Sequence, residues 1–336
     1  MKKSLVALAA LAVVGAASAQ STVTLFGIVD ASYAHTSGGG ISRDGMTNSG
    51  LNSSRLGFKG TEDLGGGLKA GFHLEGQLQN DTGTPAGLNF MRKSYVTLTG
   101  GFGEVRLGRE YSPTFWNTTI YDPFGTNGIG SSNAPGMIAN VNAVRSDNSV
   151  SYLMSAGGVA VHAMYAFGEK ASNVDDNTGD YAGIRVAYAA GPLDIAVAVG
   201  NAKGTVGAAD VRTVNFGVSY DLGMAKPMVQ LGQDKNDAKK VSNVLVGVTV
   251  PMGQGEIRAA YSRYDTKGAG VETVDWTKLA VGYGYNLSKR TQLYGTLAKV
   301  SNKAGAAVTV SNNGLAGSAS LGGSSSGYEF GVRHSF

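Results

Sequence analysis

The 336-residue chain contains no cysteine, so no disulfide contributes to its stability. After residue 20 it has no run of eighteen apolar residues, which excludes a transmembrane helix there. Mean hydropathy is −0.04, so the chain is not obviously apolar. Charge is low and nearly balanced. Without Lys2 and Lys3, 26 basic residues face 24 acidic ones, too small an excess to imply nucleic-acid binding. Catalytic signatures are missing too: there is no HExxH, no GxSxG elbow and no Walker A motif. The four histidines, His35, His73, His162 and His334, are scattered, so neither a metal nor another cofactor is expected. The stretch "GGFGEVRLG" reads as a tight turn rather than a phosphate cradle.

The first twenty residues, "MKKSLVALAALAVVGAASAQ", stand apart. Lys2 and Lys3 form a basic start, and Leu5 to Ala17 form an apolar stretch too short to span a bilayer. Ala17-Ser18-Ala19 is a small-x-small cleavage site. The pattern predicts a signal peptide over residues 1–19 and a mature chain over 20–336.

What the chain has in quantity is glycine, 51 residues, and period-two alternation. In "LKAGFHLEGQLQ", Ala70, Phe72, Leu74, Gly76 and Leu78 oppose Lys69, His73, Glu75, Gln77 and Gln79. In "VRTVNFGVSYD", Val214, Phe216, Val218 and Tyr220 oppose Thr213, Asn215, Ser219 and Asp221. Sixteen such segments are expected, near 22–35, 54–62, 67–80, 92–99, 104–110, 149–155, 159–168, 181–190, 193–201, 212–221, 226–234, 241–250, 254–264, 273–285, 290–302 and 327–336. Many run to about ten residues, the length a tilted strand needs to cross a bilayer.

The connections sort into two kinds. Seven short turns, among them "EDLGGG", "TGGFG" and "AAGP", interleave with eight longer polar loops, including 36–53, 111–148, 235–240 and 303–326. Short turns at one end and long loops at the other are the signature of an outer-membrane barrel. A secreted sandwich also alternates, but its connections need not sort in this way. It would also bury a large apolar core, whereas many apolar faces here are thin and rich in glycine and alanine (Gly71, Gly76, Gly183, Gly217, Gly282, Gly284). The expected fold is all-β: a 16-stranded antiparallel transmembrane β-barrel. The chain stops in mid-alternation on "YEFGVRHSF". In lipid no water can satisfy a bare strand edge, so the last strand must pair with the first, with the Phe336 ring facing outward.

Four stretches carry a family resemblance across the mature chain: "QSTVTLFGIVDASY", "SRLGFKGTEDLGGGLKAGF", "SYVTLTGGFGEVRLGRE" and "YEFGVRHSF". In order and spacing they resemble the trimeric general porins of Gram-negative bacteria, most closely those of betaproteobacteria. The resemblance implies an outer-membrane channel for passive diffusion of ions and small hydrophilic solutes, a homotrimer set in outer-membrane lipid, and recognition of Phe336 by the assembly machinery. An outer-membrane barrel enzyme, a protease or lipase, is the alternative, but no convincing cluster of catalytic residues supports it.

A barrel of this strand number has a wide lumen, so a selective channel needs a constriction. The longest loop, 111–148, is the candidate for infolding, and its "DPFG" resembles the acidic tip of the porins' third loop, with Asp122 as the acid. The resemblance places Arg55, Arg92, Arg109 and Arg145 on the basic side. Alternation with Leu56 and Phe58 independently turns Arg55 and Lys59 inward, and Glu75 likewise. Arg109 does not fit alternation with Val105 and Leu107: either a bulge near Gly108 re-aims it or it lies at the rim. An excess of arginine over acid should favour anions modestly.

Overall fold

The computed structural model describes residues 22–84, 89–132, 137–171, 177–204, 209–268, 274–303, 305–312 and 314–336; the expected signal peptide lies outside them. In chain order the elements are β1 (Thr22–Gly38), β2 (Ile41–Asn48), β3 (Arg55–Gly65), β4 (Leu68–Gln77), β5 (Lys93–Gly100), β6 (Gly103–Tyr111), α1 (Pro113–Ile120), β7 (Arg145–Ala156), β8 (Val159–Ala166), β9 (Tyr181–Ala190) and β10 (Leu193–Ala202). There follow β11 (Val211–Tyr220), β12 (Lys226–Lys235), β13 (Lys240–Met252), β14 (Gly255–Lys267), β15 (Trp276–Asn286), β16 (Thr291–Asn302) and β17 (Ser324–Ser335).

The strands from β3 onward form an antiparallel meander, and β17 closes on β1. The seam runs from Ile28 opposite Ser335 to Gly38 opposite Ser325. Gly27 and Phe336 exchange both backbone hydrogen bonds at 3.1 Å. No strand edge is left bare along this seam, as a sheet in hydrocarbon requires.

The seventeen segments occupy sixteen places around the barrel. β2 and β3 lie end to end on one edge of β1: Ile28 to Thr22 pair with β3, and Ala31 to Gly38 pair with β2. The stretch 36–53 is therefore not one polar loop, as its sequence suggests. A break at 49–54 separates the two segments, with Ser49 at φ +65°. Buried Asp30 spans the break: its carboxylate accepts the N–H groups of Leu51 at 2.8 Å and Asn52 at 2.7 Å.

The connections at one end are tight. Gly66-Gly67, Gly157-Gly158 and Gly253-Gln254 each join two strands across two residues. The opposite end carries the long connections, with two exceptions, the Gly39-Gly40 turn joining β1 to β2 and the link from β12 to β13. Between β12 and β13 only residues 236–239 intervene, where Asn236 Oδ1 accepts from Ala238 and Lys239 to make a side-chain-capped turn.

Alternation sorts the two faces. Val23, Leu25, Val96, Leu107, Leu231, Val246, Leu279 and Leu297 are exposed on the outside. Asp30, Ser32, Asn215, Gln230, Asn243 and Glu329 are buried inside. The Phe336 ring lies outward over Gly27. Gly217 and Gly282 belong to the inner face rather than to a thin outer one. A methyl group on Gly217 would run into the Tyr121 ring of the 111–148 loop, so the wall is hollowed where the loop seats.

Candidate functional site: the constriction

The segment 111–148 folds into the barrel. Ser112 caps α1 by accepting the Phe115 N–H at 3.3 Å, and Pro113 stands in its first turn, where a missing N–H costs nothing. The helix packs on β9, β10 and β11. Asn117 fixes it there, donating to Asn215 Oδ1 at 2.8 Å and accepting from Arg185 Nε at 3.1 Å. Tyr121 donates to the Asp194 carboxylate. Burial, then that bond, pushes the Tyr121 hydroxyl well above its ordinary pKa. Beyond the helix, Glu329 on β17 accepts the Ile129 N–H at 3.2 Å, and Lys278 on β15 donates to the Ser131 carbonyl at 2.6 Å. Phe124 and Ile129 pack with Tyr264, Trp276 and Val300 on the inner wall. The loop is thus pinned at both ends and at its tip.

A cavity of about 730 Å³ remains between the loop and the opposite wall. Arg55, Arg92 and Arg145 line it from the wall; Trp116, Thr119, Thr126 and Asn127 line it from the loop. Tyr111 is the hub. Its hydroxyl accepts from Arg92 Nη2 at 2.7 Å and from Arg145 Nη2 at 2.8 Å. The Arg145 guanidinium also lies 4.4 Å from the Tyr111 ring centroid, a cation–π distance. Glu75 is the counter-charge. Its carboxylate takes Arg92 Nε at 2.6 Å and stands 3.5 Å from an Arg55 amine. Two guanidiniums, those of Arg55 and Arg92, therefore share one carboxylate, while Arg145 is held by the Tyr111 hydroxyl and the Arg92 carbonyl. Next to them Lys93 stands 3.4 Å from Glu110 and 5.2 Å from the Trp116 ring.

The other expected residues sit elsewhere. Glu75 is 3% exposed, so it acts through the arginines rather than as an open lumen charge. Lys59 is exposed on the inner face, four residues below Arg55, with its ammonium 5.7 Å from the Phe26 ring. Arg109 does not line the cavity. The register between β6 and β7 slips between Gly108 and Glu110, a bulge, and Gly108 takes φ +137°, which favours glycine. The displaced Arg109 pairs with Asp147 and donates to the Met91 carbonyl. Asp122 is 4% exposed and faces into its own loop, accepting the N–H groups of Phe124 at 2.9 Å, Thr126 at 3.2 Å and Ser132 at 2.8 Å. It organises the loop's turn and presents no charge to the cavity. Tyr111 and Trp116, which sequence reasoning did not count among the site residues, also line the cavity. Among the described residues no cluster of three or more His, Asp or Glu side chains could hold a metal ion.

A family model of the Gram-negative porins matches residues 5–305. Over the whole of both chains the sequence is 43% identical to outer membrane porin protein 32 of Delftia acidovorans. It is 29% identical to an outer membrane porin protein of Bordetella pertussis, across 89% of this chain and 94% of that one. Among solved structures, an anion-selective porin from Comamonas acidovorans matches with a TM-score of 0.86 at 41% identity, covering 94% of this chain and all of that one. The chain belongs to the Gram-negative porins: it is an integral channel of the outer membrane through which ions and small hydrophilic solutes diffuse passively, not an enzyme.

Proposed function

We propose that this channel is weakly anion-selective and that Arg55, Arg92 and Arg145 set the selectivity, with Glu75 limiting their excess charge. The observation that carries this reading is the composition of the cavity: three guanidiniums on the wall face neutral Thr119, Thr126 and Asn127 on the loop. With Asp122 turned away, no loop carboxylate balances them. Anions gain from the uncompensated charge while small neutral solutes pass by size, so selection works through width and field rather than tight binding. The similarity to an anion-selective porin supports the same sign. Arg109 and Asp122 act at one remove, Arg109 on the strand that carries Tyr111 and Asp122 on the shape of the loop.

The functional unit in this reading is a homotrimer in outer-membrane lipid, built from mature chains over 20–336 after removal of 1–19. Phe336, outward-facing at the seam, is the residue the assembly machinery reads. Planar-bilayer recording in a potassium chloride gradient tests the channel. Steps in groups of three with a reversal potential on the anion side are expected; a cation-side potential would overturn the assignment. N-terminal sequencing of the outer-membrane form should begin at Gln20.

A further inference from the structure

Trp116 lines two cavities, of which the constriction is the first. The second, of about 410 Å³, lies between α1 and the inner wall of β5 to β9. It reaches Ser155 and Ala160, which flank the Gly157-Gly158 turn, so it sits toward the end with the tight connections. The short turns of an outer-membrane barrel face the periplasm, and a solute leaving the constriction inward meets this cavity next. Its walls are partly apolar. Ile120, the last residue of α1, is 39% exposed. Leu153 lines the cavity from β7, where it stands opposite Glu104 on β6 and His162 on β8; its chain neighbours Tyr152 and Met154 are exposed on the outside. Apolar surface facing an aqueous lumen is stabilised only when something covers it.

The cavity also has one cation in excess. Glu104, on its wall, is held by Arg106 Nε at 2.5 Å, and Arg106 Nη1 reaches Glu110 at 2.5 Å. Lys93 stands 3.4 Å from the same Glu110, so these four charges cancel. Arg185, also on the wall, is outside that balance. Its Nε donates to Asn117 Oδ1 at 3.1 Å and its second partner is the Tyr121 hydroxyl, both neutral groups. Asp194 is held by Tyr121 instead. Among the described residues no carboxylate lies within 4 Å of Arg185. Beside it on β8, His162 is 6% exposed, lines the cavity, and has an Nε2 with no hydrogen-bond partner among the described residues.

We propose that this cavity is a second subsite on the transit path, for organic anions with an apolar body, aromatic monocarboxylates of the benzoate kind. The carboxylate sits on Arg185, the ring covers Ile120 and Leu153, and Trp116 forms the wall shared with the constriction. The inference rests on the anion selectivity proposed above, which admits such solutes. A chloride ion gains only the charge here; an aromatic carboxylate gains charge-assisted hydrogen bonds and buried apolar surface together. A cavity of this volume falls within the range of small-molecule sites, which begins at about 300 Å³.

The test titrates the full porin in mild detergent with 4-fluorobenzoate, read by fluorine NMR against detergent alone. R185Q should weaken binding roughly tenfold, the size of one charge-assisted contact. R185K keeps the charge and should bind within roughly threefold of the parent. I120S/L153S, which leaves Arg185 in place, should weaken binding roughly fivefold through lost apolar cover. The reversal potential of I120S/L153S in a potassium chloride gradient should match the parent's, which shows an intact constriction. Parental affinity in R185Q or in I120S/L153S would overturn the subsite. So would equal affinity for 4-fluorobenzyl alcohol, which has the ring without the charge, or for fluoroacetate, which has the charge without the ring. A cation-side reversal potential in the parent would instead overturn the selectivity beneath the inference; the titration needs no gradient and reports the cavity separately.

Discussion

Removing Arg55 and Arg145 together, as R55S/R145S, leaves Arg92 and Glu75 as a neutral pair and should abolish the anion preference. The size of the effect follows from the charges at the cavity. An ion passing about 6 Å from a unit charge gains about 0.7 kcal/mol at the dielectric constant of water. A Debye length of about 10 Å at 0.1 M salt leaves about 0.4 kcal/mol of that. The two arginines then favour an anion by about 0.8 kcal/mol and disfavour a cation equally, a difference of about 1.6 kcal/mol or roughly fifteenfold in permeability. At 1 M salt the Debye length of about 3 Å shrinks the same difference to roughly twofold. Reversal potentials across a planar bilayer, taken for parent and variant at both salt levels, read this directly. The parent should lose selectivity as salt rises, and the variant should show little at either. A variant as anion-selective as the parent would refute the assignment of the field to these residues, as would a parent selectivity indifferent to salt.

Other expectations test the surrounding structure. R109S should leave selectivity unchanged and cost at most about 1 kcal/mol of stability, because its half-exposed pair with Asp147 lies outside the cavity; a shift in reversal potential would return Arg109 to the filter. Gly217→Ala should force the Tyr121 ring off the wall at an overpacking cost of about 1–3 kcal/mol, read as a noisier open channel and a lower unfolding temperature. Quiet traces with an unshifted melt would show that the loop does not depend on that hollow. F336A should lower the amount of porin reaching the outer membrane while detergent refolding in vitro is little affected; equal amounts in cell fractionation would remove Phe336 from assembly.

The strands were legible because a wall with lipid on one side and water on the other imposes strict alternation, and all sixteen expected segments needed at most their ends adjusted. β2 was not, since "ISRDGMTN" carries no apolar row on either face; it is a strand because the long β1 offers it an edge. The turn at 236–239 was hidden by charge: "DKNDAKK" reads as a polar loop, yet Lys235 and Lys240 are strand ends and Asn236 makes the turn. Arg55, Arg92 and Arg145 line one cavity, and each sits at or beside the start of a strand, β3, β5 and β7. Arg109 escaped through a bulge whose direction alternation cannot give. Asp122 did leave a trace, for an aspartate followed by Pro-Phe-Gly commonly bonds its own backbone, and a carboxylate so engaged has little left for solutes. Tyr111 left none: its contacts depend on two guanidiniums arriving from the ends of the neighbouring strands β5 and β7, whose side-chain directions alternation alone does not give.

The pairing of β1 with β17 joins residues separated by nearly the whole polypeptide. Closing so large a circle costs only slightly more entropy than closing a moderate one, yet nothing local can reward the chain until it is done. Half of this molecule is consequently no smaller version of the whole: any partial sheet exposes two sticky margins and has no enclosed water. The time between translocation of the first strand and arrival of the last is thus the period of greatest danger for the protein, and holding it apart from its neighbours in that interval is a requirement written into the topology itself.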